Sequence, residues 1–268
     1  TDERFFLGVG FRIGSAMEQR DHSGSSHFLE HMMFRGSSQH PTFLLLADAF
    51  ERLGGEWNGA TGHEHTEYTF TGTIRNAEQV IALFFDFLAH PKLLEVERER
   101  QIILREIDDG INDFGHSTDL DQHLKELLWP KSSICLPITG THDSVNGISL
   151  PDLQSFRESG YQSSNMSICM IGGEKSSRLL DKVCSQFDHY PLNTQKQIPK
   201  MAIDPVIDGP LCKVVEHSDN QYHVRIGFPC EGEWSPKAET YEIISTILSD
   251  GLSARLPLRL REDLGMVY

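Results

Sequence analysis

His27, Glu30 and His31 stand together in the run Ser25-Ser26-His27-Phe28-Leu29-Glu30-His31-Met32-Met33-Phe34-Arg35-Gly36. On a helix, two histidines four residues apart project from one face, one turn above the other. Imidazole is the commonest protein ligand for zinc, and such a pair supplies two ligands with little further ordering. Glu30 borders the same face, where a carboxylate can take a proton from a metal-activated water. The order is H-x-x-E-H, the reverse of H-E-x-x-H, and both arrangements are used for zinc. The alternative at this level is a helix carrying two surface histidines, in a chain that has 13 of them.

A catalytic zinc keeps three protein ligands and one open position, so a third donor must come from elsewhere. The stretch Glu95–Asp109 offers Glu95, Glu97, Glu99, Glu106, Asp108 and Asp109. Glu99 and Glu106 fall two turns apart on one helical face, flanked by Ile102, Ile103 and Ile107. Periodicity alone reads the acids as a charged solvent face, with Val96, Ile102, Ile103 and Ile107 as the buried side. A second pair, His63 and His65, lies in an alternating Thr-, Tyr- and Phe-rich stretch. At strand spacing both imidazoles face one way, but no third ligand stands beside them, and a polar strand is the preferred reading.

The elements that position these residues follow from caps, breakers and periods. Phe5 to Ile13 alternates as a strand, and Asp21 to Ser26 is a polar loop leading into the His27 helix, which Gly36 stops. Thr42 caps a helix from Phe43 to Leu53, and Trp57 to Thr73 is a pair of strands. Ala77 to Ala89 is an apolar helix packed on a sheet, and Leu120 to Leu128 is a further helix. Pro137 to Ser149 reads as a loop, Ser149 caps a helix with Pro151 in its first turn, Ser164 to Ile171 is a strand, and Ser177 to Phe187 is a helix. Residues 192–210 lack periodicity and form the expected linker. Strands at Leu211–Glu216 and His223–Pro229 follow, then helices at Ala238–Leu248 and Ser253–Asp263, the latter interrupted at Pro257.

The 268 residues carry 38% hydrophobic and 24% charged side chains, as a globular protein of one or two domains does. A formal charge of -15 argues against a nucleic-acid binder, which needs a basic stripe for phosphates, and no apolar run reaches the length of a membrane span. The five cysteines are scattered and never in C-x-x-C spacing, which argues against a disulfide framework and a thiolate metal site. The cytoplasm or an organelle matrix is therefore expected over secretion, with the compartment itself left open.

Ordered blocks along the chain carry a family resemblance. His27-x-x-Glu30-His31 followed by Glu106, within Glu99-Arg-Gln-Ile-Ile-Leu-Arg-Glu106-Ile, resembles the pitrilysin family of inverted zinc peptidases, on the side of the processing peptidases and short bacterial members. Gly24 to Gly36 is similar to its G-x-x-H-F-L-E-H-M-x-F-x-G block. Gly54-Gly55-Glu-Trp-Asn58-Gly59-Ala60-Thr61 is similar to its G-G-x-x-N-A-x-T strand, with Gly59 where the family often has Ala. Thr139-Gly140-Thr141 and Tyr161 to Asn165 also fit. Ser253-Ala-Arg255-Leu with Leu260-Arg261-Glu-Asp-Leu-Gly265-Met-Val-Tyr268 resembles the S-R-L…L-R-E-x-x-G-x-x-Y block of the second domain.

The resemblance implies an α+β chain of two similar mixed α/β domains of the pitrilysin-like metallopeptidase type: 1–191 the zinc-binding domain, 192–210 a linker, and 211–268 the start of a homologous, truncated second domain. It implies one Zn2+ per chain on His27, His31 and Glu106, with Glu30 as general base and Glu99 supporting a histidine ligand. Asn58 and Ala60 would lie on the strand that receives an extended peptide substrate. Arg261 and Tyr268 would approach the scissile carbonyl, supplied by a homodimer partner or a homologous half that closes a chamber. The implied activity is endopeptidase hydrolysis of extended or unfolded peptides. The alternative is a non-catalytic core or assembly subunit of the same family.

Overall fold

The computed structural model describes residues 3–173, 177–191, 209–218 and 220–267. The chain divides into two units, Thr1–Arg225 and Ile226–Tyr268.

In the first unit, strand β1 (Arg4–Phe11) precedes helices α1 (Ser25–Met33) and α2 (Phe43–Glu51). Strands β2 (Glu56–Thr61) and β3 (Thr66–Thr73) follow, then α3 (Ala77–Ala89), α4 (Val96–Asp109), α5 (Leu120–Leu128), α6 (His142–Gly147) and α7 (Leu150–Gly160). Strand β4 (Met166–Gly172) and α8 (Ser177–Phe187) complete it. The four strands form one antiparallel sheet in the order β2-β3-β1-β4. Alternation puts Phe5, Leu7, Val9 and Phe11 of β1 and Tyr68 and Phe70 of β3 on one buried face. Register sets Leu7 opposite Phe70 and Val9 opposite Tyr68, so the two strands present a continuous apolar surface.

Helices cover that face. Val80, Phe84, Phe87 and Leu88 of α3 join Phe28, Leu29, Met32 and Met33 of α1 in the same core. Each such side chain contributes about 1.5–3 kcal/mol on burial. Phe50 stacks on Trp57 with centroids 4.2 Å apart, which ties α2 to β2. The expected helices and paired strands of this unit are present, α3, α5 and α8 at the expected limits and the others with ends shifted by a few residues.

Several expectations are corrected. His63 and His65 lie in the turn between β2 and β3, not in a strand. The Pro137–Ser149 loop contains α6, which Thr141 and Ser144 close with a reciprocal capping box. The buried side of α4 is Glu99, Arg100 and Ile103, whereas Ile102 is exposed. Buried charges need partners, and both have them: Arg100 donates to the carbonyls of Val145 and Ile148, and Glu99 is paired as described below.

Residues 211–216 and 223–229, expected as strands, form no ladder among the described residues. Ion pairs hold part of this stretch instead, Lys213 to Glu126 at 2.8 Å and Arg225 to Asp121 at 2.6 Å. Val214 is 90% exposed, and a β pattern without a neighbouring strand has no backbone partner to form against. Of the expected linker, residues 192–208 lie outside the described set.

The second unit holds α9 (Ala238–Ser249) and a short helix α10 (Arg255–Pro257) that runs into a wider helical turn, Leu258–Asp263. Pro257 does not interrupt this helix, because it sits in the first turn, where its missing N–H has no helical partner to lose. All five cysteines are free thiols, and only Cys135 is buried. No helix among the described residues is long and apolar enough to cross a membrane.

Candidate metal centre

Helix α1 begins at Gly24, whose φ of 94° is left-handed. A Cβ there would lie 2.8 Å from the carbonyl oxygen of Thr139, so conformation and packing both require glycine. No side chain of the cap residue closes the helix start. Glu18 does so from the preceding loop, accepting from the N–H groups of Gly24 at 2.7 Å and Ser26 at 2.6 Å. Burial pushes the Glu18 carboxyl up to about 7, and the bonds from Ser26 and Gly24 offset only part of that. Sequence reasoning missed Glu18, because nothing in its spacing distinguishes it from a surface acid.

His27 and His31 project side by side, their ring centroids 4.6 Å apart. His31 Nδ1 donates to Glu99 Oε2 at 3.1 Å, since an ionised carboxylate can only accept. That bond sets the tautomer and leaves the Nε2 lone pair free. Glu99 also takes Arg35 Nη1 at 3.1 Å, and Arg35 pairs in turn with Glu95. Arg35 is a second residue the sequence reading passed over, although it stands within the quoted block.

Glu106 faces both histidines. His27 Nε2 lies 3.6 Å from its Oε1 and His31 Nε2 lies 3.7 Å from its Oε2, beyond hydrogen-bond range. All three donors lie within 4.8 Å of one another. Ligands bonded at about 2.0–2.2 Å around a tetrahedral ion stand roughly 3.3–3.6 Å apart, so two imidazoles and a carboxylate in this arrangement suit zinc. Among the described residues no other trio of potential metal donors converges in this way.

The electrostatics set the three groups apart. Burial, with His31 nearby, lowers the His27 pKa to about 4, so this ring is neutral near pH 7. Burial also opposes charge on His31, but the Glu99 bond and the carboxylates of Glu30, Glu99 and Glu106 outweigh it and raise its pKa. Glu30 is raised by burial and by Glu106, with Thr61 and His31 acting against the rise. Thr61 Oγ1 donates to Glu30 Oε2 at 2.6 Å.

The remaining candidates fall elsewhere. Asn58 and Ala60 are exposed on β2, which is an edge of the sheet among the described residues. His63 is held at both ring nitrogens: Lys125 Nζ donates to Nε2 at 2.6 Å, which leaves Nδ1–H to donate to Ser15 Oγ at 2.8 Å. That fastens the β2–β3 turn and explains why His63 joins no metal set. Arg261 belongs to the second unit and sits beside Glu262, while Tyr268 lies outside the described residues.

Comparison with known proteins agrees with the motif blocks. Residues 1–139 match the family model for insulinase (peptidase family M16), and residues 147–268 match that for the peptidase M16 inactive domain. An uncharacterized zinc protease of Mycobacterium leprae is 27% identical over 265 residues, 98% of this chain and 59% of that protein. A protein named probable mitochondrial-processing peptidase subunit beta in Arabidopsis thaliana is 31% identical over 183 residues, covering 68% of this chain and 34% of its own length. A solved structure of a protease from Helicobacter pylori superposes with a TM-score of 0.83 at 20% identity, over 97% of this chain and 63% of that one. The chain thus spans about 60% of the length of the bacterial relatives it matches. With both models placed in order along it and the mixed α/β fold in agreement, the chain belongs to the insulinase family, peptidase family M16.

Proposed function

We propose that this chain carries the zinc site of a metallo-endopeptidase that hydrolyses extended or unfolded peptides. The observation that carries the reading is the convergence of His27, His31 and Glu106 on one point, with the Glu30 carboxylate on the same helix. These three residues would hold one zinc ion per chain. Zinc bound there supplies Lewis acidity and lowers the pKa of water towards neutrality.

The protein's own residues do the rest. Glu30 would accept a proton from the attacking water and return one to the leaving amine. Glu99 orients His31 through Nδ1. The free edge of β2 offers backbone donors and acceptors to an extended peptide, which would add as a further strand beside Asn58 and Ala60. Such pairing asks little of the substrate sequence, and a net charge of -15 favours basic peptides. Arg261 and Tyr268 act as donors to the developing oxyanion, one such donor being worth about 3 kcal/mol of barrier. In this reading they come from the partner in a homodimer, each chamber closing over one zinc.

Glu30→Gln tests the assignment. The variant should retain zinc and lose at least about a hundredfold in the hydrolysis of a quenched fluorogenic peptide. An unchanged rate sinks the mechanism. A second reading, a non-catalytic assembly subunit, draws on the match of residues 147–268 to an inactive-domain model. It predicts zinc binding with no hydrolysis in the wild-type protein either.

A further inference from the structure

Glu30 ends in a carboxylate three torsions from its backbone, and the last torsion of a glutamate is intrinsically broad. A general base must nevertheless hold its oxygens within a fraction of an ångström. In this chain the constraint comes from β2. Strand alternation turns Trp57, Gly59 and Thr61 inwards, towards the helices, while Glu56, Asn58 and Ala60 stay exposed. Thr61 Oγ1 donates to Glu30 Oε2 at 2.6 Å. Gly59, one inward position earlier, faces the other oxygen: a Cβ built there would stand 2.9 Å from Glu30 Oε1 and 2.9 Å from the Phe34 ring. The same strand face therefore supplies a donor to one oxygen and a notch for the other.

We propose that Thr61, with Gly59 beside it, is the positioning residue for the Glu30 carboxylate. It anchors Oε2 and leaves Oε1 as the oxygen that accepts a proton. This rests on the peptidase reading above. The proton leaves the attacking water, the new O–H bond forms at Oε1, and the Thr61 hydroxyl remains a donor to Oε2 throughout. Thr61 is none of the three candidate metal donors and its hydroxyl is bonded to Glu30, so it acts through Glu30. Because a peptide would pair with the outer edge of β2, one strand aligns both the base and the peptide.

The test compares Thr61→Val, which keeps the shape and removes the donor, with Thr61→Ser, which keeps the donor, in the full-length protein. Rates on a quenched basic peptide, zinc per chain and thermal midpoint are measured for each. Thr61→Val should lower kcat about 10- to 100-fold, the cost of a misplaced catalytic group, with KM within about twofold and zinc content unchanged. Thr61→Ser should recover kcat to within about threefold of wild type. A crystal structure of Thr61→Val should show the Glu30 carboxylate displaced or in several rotamers. The proposal is overturned if Thr61→Val keeps the wild-type kcat, if Thr61→Ser falls as far as Thr61→Val, if the loss in Thr61→Val comes with lost zinc or a lowered midpoint, or if Glu30 stays in place in that crystal. Wild-type protein that hydrolyses nothing overturns the peptidase reading itself, whereas an active wild type with an unimpaired Thr61→Val overturns only this inference.

Discussion

Glu99 is 4% exposed, yet it carries no ligand role of its own; its place is between Arg35 and His31. The Arg35 guanidinium holds one carboxylate oxygen, and the other accepts the Nδ1 proton of His31, so the imidazole presents Nε2 with a fixed ring plane. Removing such a partner leaves the ligand in place but free to rotate and to change tautomer. Glu99→Ala should weaken zinc binding by about 10- to 100-fold, measured by competition with a chromophoric chelator. Affinity equal to wild type would mean that packing alone orients His31. Periodicity does not separate Glu106 from Glu97 or Asp109 on the same helix; the motif block and its approach to both histidines do.

At the scale of elements, the start of α1 depends on a buried acid. Glu18 has a raised folded pKa, from 4.5 to about 7, so its contribution to stability is fully present below pH 4.5 and is lost as pH rises through about 7. A shift of that size corresponds to roughly 3 kcal/mol across the window. Glu18→Gln does not titrate. Urea denaturation should therefore show wild type losing stability relative to Glu18→Gln between about pH 4.5 and about pH 7. A difference that stays flat with pH would place the Glu18 charge in water, not in the helix start. The polar buried face of α4 is the companion case, since Arg100 satisfies the carbonyls of Val145 and Ile148 and so joins α4 to the segment containing α6.

At the scale of the whole molecule, the proposed zinc donors and the Arg261 block lie in different units, and Arg261 and Tyr268 would enter catalysis only in the proposed assembly. A two-fold dimer in which each site borrows its partner's Arg261 makes a specific demand. Glu30→Gln and Arg261→Ala are each inactive alone. Co-assembled, they should regain about a quarter of wild-type activity, because half of randomly formed dimers are mixed and each mixed dimer has one complete site. No recovery in co-expressed full-length chains, with mixed dimers verified by mass spectrometry, would exclude the shared site.

The local order of the chain was legible in its residues. Caps and breakers placed α3, α5 and α8 at their observed limits, and the ordered motif blocks named the family and picked out His27, His31 and Glu106. Period, however, describes only which residues share a face, not what that face meets. The acids of α4 read as a solvated stripe, and Glu97, Glu106, Asp108 and Asp109 are exposed as that reading expects, but Glu99 is buried because Arg35 and His31 stand opposite it. His63 and His65 looked like a second pair until the turn placed His63 between Ser15 and Lys125. Glu18 carries no mark in the sequence, and Thr61 stands in a motif block without an assigned role, since their importance is a matter of distance to a helix start and to Glu30. Residue types and spacing determined which side chains are offered as candidate ligands. Tertiary structure decided which carboxylates are paired, which are buried and which oxygen is left to act, because those properties come from neighbours that are distant along the chain.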